Sequence, residues 1–415
     1  MYPPLPKSPA DLLPLPRCDG PKLKPFDFRG PQKIEFLELI GTGLHSHVAK
    51  VRILGQIYAL KVFRFGLDWD WMDSEDIEFE DEVAMTAIGQ YGEPFYAECR
   101  AYGRLQETGY EALSVKCYGY VLLDDDHERQ LTKLCSDDTP THSKFCGTGQ
   151  DAGGPEMRVH FLTEANRTPP PLRAVVKELG KPSETNFHAK DLRKMLRDIG
   201  QLQQLGIIKI DPAPRQIING KISDFSTSLT TPHCLMTPEL NPYQTAEMKP
   251  SMERQTFMLS INDYWKYDSE VKEMLEKNKP GVKGNLARVY AFPEGSRRLR
   301  NSQRRQKRST GWVATTFVDP RRYNWKAYSD SQGNNPPRVT AKNRTGKGAK
   351  KKPGAGASGG VRRKRPPLSR TPKRWYYSCR NDKEYDIFIK APRNDWPDID
   401  WHFKDGYLFP LKPTE

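Results

Sequence analysis

Two aspartates, Asp211 and Asp224, sit in the stretch GIIKIDPAPRQIINGKISDFSTS (206–228), bracketed by Ile207, Ile208 and Ile210 on one side and Ile217, Ile218 and Ile222 on the other. The Asn219-Gly220 pair between Ile218 and Lys221 predicts a two-residue hairpin turn, because both central positions of that turn need positive φ. Such a hairpin brings the two carboxylates close together. A carboxylate able to take a proton (Asp211), beside one able to hold a hard divalent cation (Asp224), is equipment for moving a phosphoryl group. Gln216 follows Asp211 by five positions and offers a second, longer oxygen ligand to a metal. Phosphates also need a cation, and Lys61 closes the β-rich Ala59-Leu60-Lys61. It is preceded by the Gly41-Thr42-Gly43 turn and by Val48, an arrangement suited to covering a triphosphate. Glu98 shares a helical face with Phe95, Tyr102 and Leu105, so it can meet and hold Lys61.

The elements that must position these groups are legible in outline. From Ile34, IEFLELIGTGLHSHVAKVRILGQIYALKVF splits at Gly41, Gly43 and Leu54-Gly55-Gln56 into a three-stranded antiparallel meander. Asp68 to Glu82 holds nine carboxylates with Trp69, Trp71 and Phe79, and reads as a solvated acidic insert. PFYAECRAYGRLQETG reads as a helix, Leu113–Leu123 as a strand pair or one long strand, and Ala174–Leu179 as an apolar strand ending at Gly180. This last strand resembles a kinase hinge in its placement, which implies that the backbone around Glu178 would hydrogen-bond an adenine. Residues 124–173 read as a loop insert, and its His127, Cys135, His142 and Cys146 do not have the spacing of a zinc site. Leu192, Leu196, Ile199 and Leu202 recur at helical spacing just before the hairpin, and Ile261–Asn278 carries a further helical signal.

In their order these pieces resemble a protein kinase, with Asp224-Phe225-Ser226 in the place of Asp-Phe-Gly and Lys209-Ile210-Asp211 in the place of His-Arg-Asp. The phrases HSHVAKVRILGQIYALKVF, FYAECRAYGRL, VKCYGYVLL and ISDFSTS together resemble a fungal family of Fta-type kinetochore subunits from the inner-kinetochore Sim complex, over about residues 34–240. The resemblance implies a kinase-like fold and a centromere connection. In a kinase Lys61 and Glu98 would position ATP phosphates, Asp224 would hold Mg²⁺ and Asp211 would be the base. Departures weigh against turnover. Gln216 replaces the metal-binding Asn, Ser46 replaces the third loop glycine, and Thr237-Pro238-Glu239 follows Asp224 too soon for a full activation segment.

Charge separates the chain into regions. The formal charge is +14, but from Ala291 to Arg380 there are 25 Lys or Arg against 3 acids, so the remainder is acidic. Basic blocks joined by Gly, Pro and Ser are too polar to build a core and suit nuclear import or nucleic-acid contact. Seven cysteines without a CxxC pair point to reduced thiols, and no apolar run is long enough for a membrane span. The predicted organisation is α+β. A Pro-rich disordered arm (1–30) precedes a two-lobed kinase-like domain (31–290), with an N-lobe at 31–180 carrying the inserts 68–82 and 124–173 and a shortened C-lobe at 181–290. A basic disordered tail (291–374) and an aromatic-rich segment (375–415) follow. Three functions stay open. One is a nuclear, nucleotide-binding or pseudokinase-type platform, with residues 297–374 on DNA, RNA or chromatin. Another is an active phosphotransferase using ATP and Mg²⁺, and the last is a non-catalytic assembly subunit among kinetochore proteins.

Overall fold

The computed structural model describes residues 12–65, 89–138, 158, 170–182, 188–240, 248–277, 289–292, 313–329, 365–380, 401–404 and 407–410. The architecture is mixed α+β. Strands β1 (Glu35–Thr42), β2 (Ser46–Ile53) and β3 (Gln56–Phe63) form the meander, and β4 (Cys117–Leu122) and β5 (Arg173–Glu178) complete an antiparallel sheet in the order β1-β2-β3-β5-β4. Val51, Leu60, Val62 and Val175 are fully buried, the apolar demand expected of strands covered by other elements. Across the β3–β5 pair, Lys61 lies opposite Val175, so its cation projects from an apolar environment.

Helix α1 (Pro94–Thr108) packs against this sheet. Pro94 opens it, where a missing N–H costs nothing, and Gly109 closes it at φ 72° with its N–H on the Gln106 and Leu105 carbonyls. The helix is buried nearly all round because a second layer covers its outer face. That layer includes the stretch read as a Pro-rich arm. From Leu12 on it is extended but packed, with Leu15, Leu23, Phe26 and Phe28 in the core. It continues the sheet beyond β4, where Phe26 N–H donates to Tyr120 O at 2.8 Å and Tyr120 N–H to Lys24 O at 3.1 Å. A Cβ at Gly103 would stand 2.7 Å from the Lys22 backbone, so the strap needs a glycine in α1 to lie this close. Prolines hid this packing from a composition argument, although apolar residues alternate with them.

Part of the predicted loop insert is helical. Helix α2 (Asp125–Asp138) buries Leu131 and Cys135 and lies against β1, and His127 Nε2 accepts the Ile34 N–H at 3.1 Å. His142 and Cys146 lie outside the described residues, as does the acidic insert 68–82.

Helix α3 (Ala189–Gln204), whose Asp191 side chain accepts the His188 N–H, leads into short paired strands. These are β6 (Ile207–Ile208) with β9 (Leu229–Thr230), and β7 (Ile217–Ile218) with β8 (Lys221–Ile222). The β7–β8 turn has Asn219 at φ 50° and Gly220 at φ 70°, the hairpin expected from the pair. Helix α4 (Met248–Lys277) is much longer than its sequence signal and has Phe257, Leu259, Tyr264, Tyr267 and Val271 in the core.

Parts of the predicted disordered tail fold back. Strand β10 (Val313–Thr316) pairs with β11 (Trp375–Ser378), and Trp375 and Tyr377 pack on Phe257 of α4. Residues 365–371 are tied down by Tyr110 Oη on Pro366 O and by a two-way bond between the Gln204 amide and the Ser369 backbone. Large aromatics supplied the apolar area that the surrounding Lys and Arg conceal in an average. A last pair, β12 (Trp401–Lys404) and β13 (Tyr407–Pro410), closes the described chain.

His233 couples this packing to pH. Its Nε2–H donates to Tyr91 O at 3.2 Å while Nδ1 accepts the Leu235 N–H at 3.2 Å, so the ring is held neutral. Burial, then Arg100, lower its pKa to about 3. A folded value below the unfolded one means stability is full above about pH 6.5 and is lost as pH falls toward 3. Between pH 7.5 and 5 the loss from this group is on the order of 2 kcal/mol. Urea unfolding of His233→Gln, which can keep one donor and one acceptor, should show a flatter profile over that window. A slope equal to wild type would remove His233 from the account.

Candidate functional site

Lys61 Nζ donates to Glu98 Oε2 and to Asp224 Oδ1, each at 2.7 Å. Strand β3 sets the lysine, α1 the glutamate, and the chain just after β8 the aspartate. Glu98 is wholly buried, and its second oxygen accepts Lys177 Nζ at 2.7 Å. Lys177 lies in β5 and also donates to Ser223 O at 2.7 Å. Lys61, Lys177 and Glu98 are nearly inaccessible, whereas the Asp224 side chain keeps 31% exposure and forms the open side of the cluster. Burial opposes the charge on Lys61, but Asp224 and Glu98 outweigh it and raise the pKa. Asp224 is held well below the usual carboxylate range because Lys61, Lys209 and Lys177 overcome its desolvation. Its Oδ1 also accepts Ser226 N–H at 2.9 Å and Ser226 Oγ–H at 2.8 Å.

Asp211 and Asp224 are linked through Lys209, whose charge acts on both. Lys209 Nζ donates to Asp211 O at 2.9 Å and to Gln216 Oε1 at 2.6 Å. Gln216 Nε2 in turn donates to Asp211 Oδ2 at 2.6 Å, an oxygen shared with Arg215 at 2.8 Å. Lys266 of α4 stands 3.1 Å from Asp211 Oδ1. Burial works against the Asp211 anion, but Lys209, Lys266 and Arg215 lower its pKa. A group so solvated by cations is a weak proton acceptor.

The turn holding Asp211 is built by a residue that the sequence reading passed over. Asp263 of α4 accepts the N–H of Lys209 at 2.9 Å and of Ile210 at 2.6 Å, and the Gln203 amide at 3.0 Å. These bonds hold Ile210 at φ 66°, unfavourable for a β-branched residue. The missed signals were charged residues inside apolar runs, Lys177 in AVVKEL and Asp263 in INDYW, each of which needs a buried partner.

The remaining predicted residues are placed as follows. Gly41 pairs with Val48 across β1–β2, and the Gly43 N–H closes the turn on Ser46 O at 2.8 Å. Glu178 ends β5 with its N–H on Lys116 O at 2.9 Å, so that amide is not available to an adenine as arranged, and its carboxylate is 3.8 Å from Lys221. Gln216 fails as a metal ligand in this arrangement because its carbonyl oxygen is taken by the Lys209 ammonium. Asp224 would offer a divalent cation one oxygen, the one that Lys61 does not hold. Among the described residues no group of three or more His, Cys, Asp or Glu comes together to hold a metal ion, and no helix is long and apolar enough to cross a membrane.

Arg100 and Arg104 fix α1, and hence Glu98, against the chain that follows Asp224. Arg100 donates to Thr230 O and Pro232 O, and Arg104 to Leu205 O and to Thr231 O and Oγ1. The Arg104 guanidinium stacks 3.9 Å over Tyr323. A family model described as kinetochore Sim4 complex subunit FTA2 matches residues 12–229, just over half of the chain. No curated protein matches it.

Proposed function

Since the chain belongs to the kinetochore Sim4 complex subunit FTA2 family, we propose that it is a non-catalytic subunit of a kinetochore assembly, working in the nucleus at the chromosome as a binding platform for other kinetochore proteins. One observation beyond the family carries the non-catalytic part. Arg215 and Gln216 hold one oxygen of the Asp211 carboxylate, and the Lys266 ammonium lies 3.1 Å from the other, which accepts no hydrogen bond, so the anion that would take an acceptor proton is stabilised by cations and is a poor base. The expected result for a tagged protein in its own cells is concentration at centromeres and co-purification with kinetochore proteins. Diffuse signal without such proteins would overturn the reading.

The frame on which this platform stands is, in this reading, kinase-like. Support comes from the strand order β1-β2-β3-β5-β4, the Lys61–Glu98–Asp224 contacts and the hairpin between Asp211 and Asp224. Within that frame, nucleotide binding would use Lys61 for phosphate and Asp224 for one Mg²⁺, the ion supplying charge neutralisation when bound. Because Lys61 must first leave Asp224, wild-type protein is expected to show no Mg·ATP-dependent rise in melting temperature. A rise removed by Asp224→Asn or Lys61→Met, together with phosphate transfer lost in Asp211→Asn, would replace the non-catalytic reading by a phosphotransferase. The 297–374 stretch supports a DNA or RNA contact by its charge alone, a non-specific attraction.

A further inference from the structure

A cavity of about 770 Å³ opens away from the lysine–carboxylate cluster, between the chain after β9, the first turns of α4 and the returning segment 319–326. Tyr323 and Trp325, both half-buried, contribute aromatic walls, while Leu235, Met236 and Met252 in the lining are almost wholly covered, none above 4% exposed. The rim is charged. Among the described lining residues four cations (Lys249, Arg321, Arg322, Lys326) face three carboxylates (Asp319, Glu239, Glu253). Arg321 is matched by Asp319 at 2.9 Å and Glu253 at 3.2 Å, and Lys326 by Glu239 at 3.0 Å. Arg322 comes no nearer than 3.6 Å to the Asp319 carboxylate, which Arg321 already engages, and its side chain is 63% exposed. Lys249 stands exposed in the first turn of α4, where the helix dipole adds positive potential.

We propose that this cavity is a docking site for an acidic peptide segment of a partner protein, which seats an aromatic or other apolar side chain against Trp325 and lays carboxylates on Arg322 and Lys249. Charge complementarity sets the sign of the ligand. The Asp319, Glu239 and Glu253 carboxylates in the same lining favour a peptide, whose few charges can be placed, over a nucleic acid, whose phosphates they would repel. The inference deepens the platform reading by giving it a surface and a partner class, and it rests on that reading for its biological meaning.

The test uses the full chain and a fluorescein-labelled synthetic peptide copying Asp68–Glu82, which combines nine carboxylates with Trp69, Trp71 and Phe79. Fluorescence anisotropy should show saturable binding that weakens with salt. Trp325→Ala, and separately Arg322→Glu with Lys249→Glu, should each weaken it at least about tenfold, or about 1.4 kcal/mol. Lys50→Glu, a charge reversal on β2, should not. A second protein, with the Asp and Glu of its own 68–82 stretch changed to Asn and Gln, excludes occupation by that stretch. Binding by neither protein, or binding indifferent to Trp325 and Arg322, overturns the proposal. So does preference for a single-stranded oligonucleotide with the same Trp325 dependence. Absence of peptide binding in both test proteins, with wild type still reaching centromeres, would sink this inference alone, whereas peptide binding without centromere localisation would sink the kinetochore reading alone.

Discussion

Glu98→Ala is expected to lower the stability of the folded chain by about 3–5 kcal/mol, since it leaves the buried Lys177 ammonium without a carboxylate and takes one of two from Lys61. Both lysines are nearly inaccessible, with side-chain exposures of 4% for Lys61 and 8% for Lys177, and each gives Glu98 a 2.7 Å bond. Lys61 would keep Asp224, whereas Lys177 would keep only the Ser223 carbonyl. For a folded unit of this size the melting temperature should fall by roughly 6–20 °C. Glu98→Gln keeps the shape and one acceptor and should cost less. The triple variant Glu98→Leu, Lys61→Met, Lys177→Met removes all three charges and should recover much of the loss, because an apolar set of similar volume avoids the desolvation altogether. A single Glu98→Ala within about 1 kcal/mol of wild type would mean that the cluster is hydrated, not sealed.

Asp263→Ala should come next in size, at about 3–5 kcal/mol. It orphans the N–H groups of Lys209 and Ile210 and one N–H of Gln203, all in a buried setting where each unsatisfied donor costs about 1–3 kcal/mol. The effect should be local before it is global. Hydrogen exchange at residues 207–211 should speed up under conditions where β3 and α1 stay protected. Equal acceleration everywhere would show that Asp263 supports the whole fold and not this turn. Asp263→Asn separates charge from bonding. Burial, only partly offset by its donors, raises the Asp263 pKa to about 6. A folded value above the unfolded one means the ionised group costs stability above pH 6, and the cost fades as pH falls toward 3.8. The Asn variant should lose that slope, which runs opposite to the one from His233.

The local parts of this architecture were legible because local rules govern them. Asn219-Gly220 specifies its turn through φ alone, and the meander follows from alternating apolar residues between glycines. Phe95, Glu98, Tyr102 and Leu105 share a face because 3.6 residues make a turn. What could not be read is whatever depends on a partner far along the chain. Lys177 looks like one charge in an apolar strand until α1 brings Glu98 to it. Gln216 looks like a poor metal ligand, and only the structure shows its oxygen given to Lys209. Composition misled most at the two ends, where Pro in one case and Lys and Arg in the other diluted the few large apolar residues that do the packing. Leu23, Phe26, Trp375 and Tyr377 are each under 9% exposed.

The return of the chain at Arg365 changes what a protease would release. Strands β10 and β11, one on each side of the basic stretch 330–364, are paired with each other. A single cut inside 330–364 therefore does not liberate a tail. The downstream piece would stay bound through β10–β11 pairing, the Trp375 and Tyr377 contacts with Phe257, and the Gln204 clamp on Ser369. Nicked protein should run as two bands under denaturing conditions yet elute as one species in its native state, a non-covalent complex of complementary fragments. Trp375→Ala should let those fragments part.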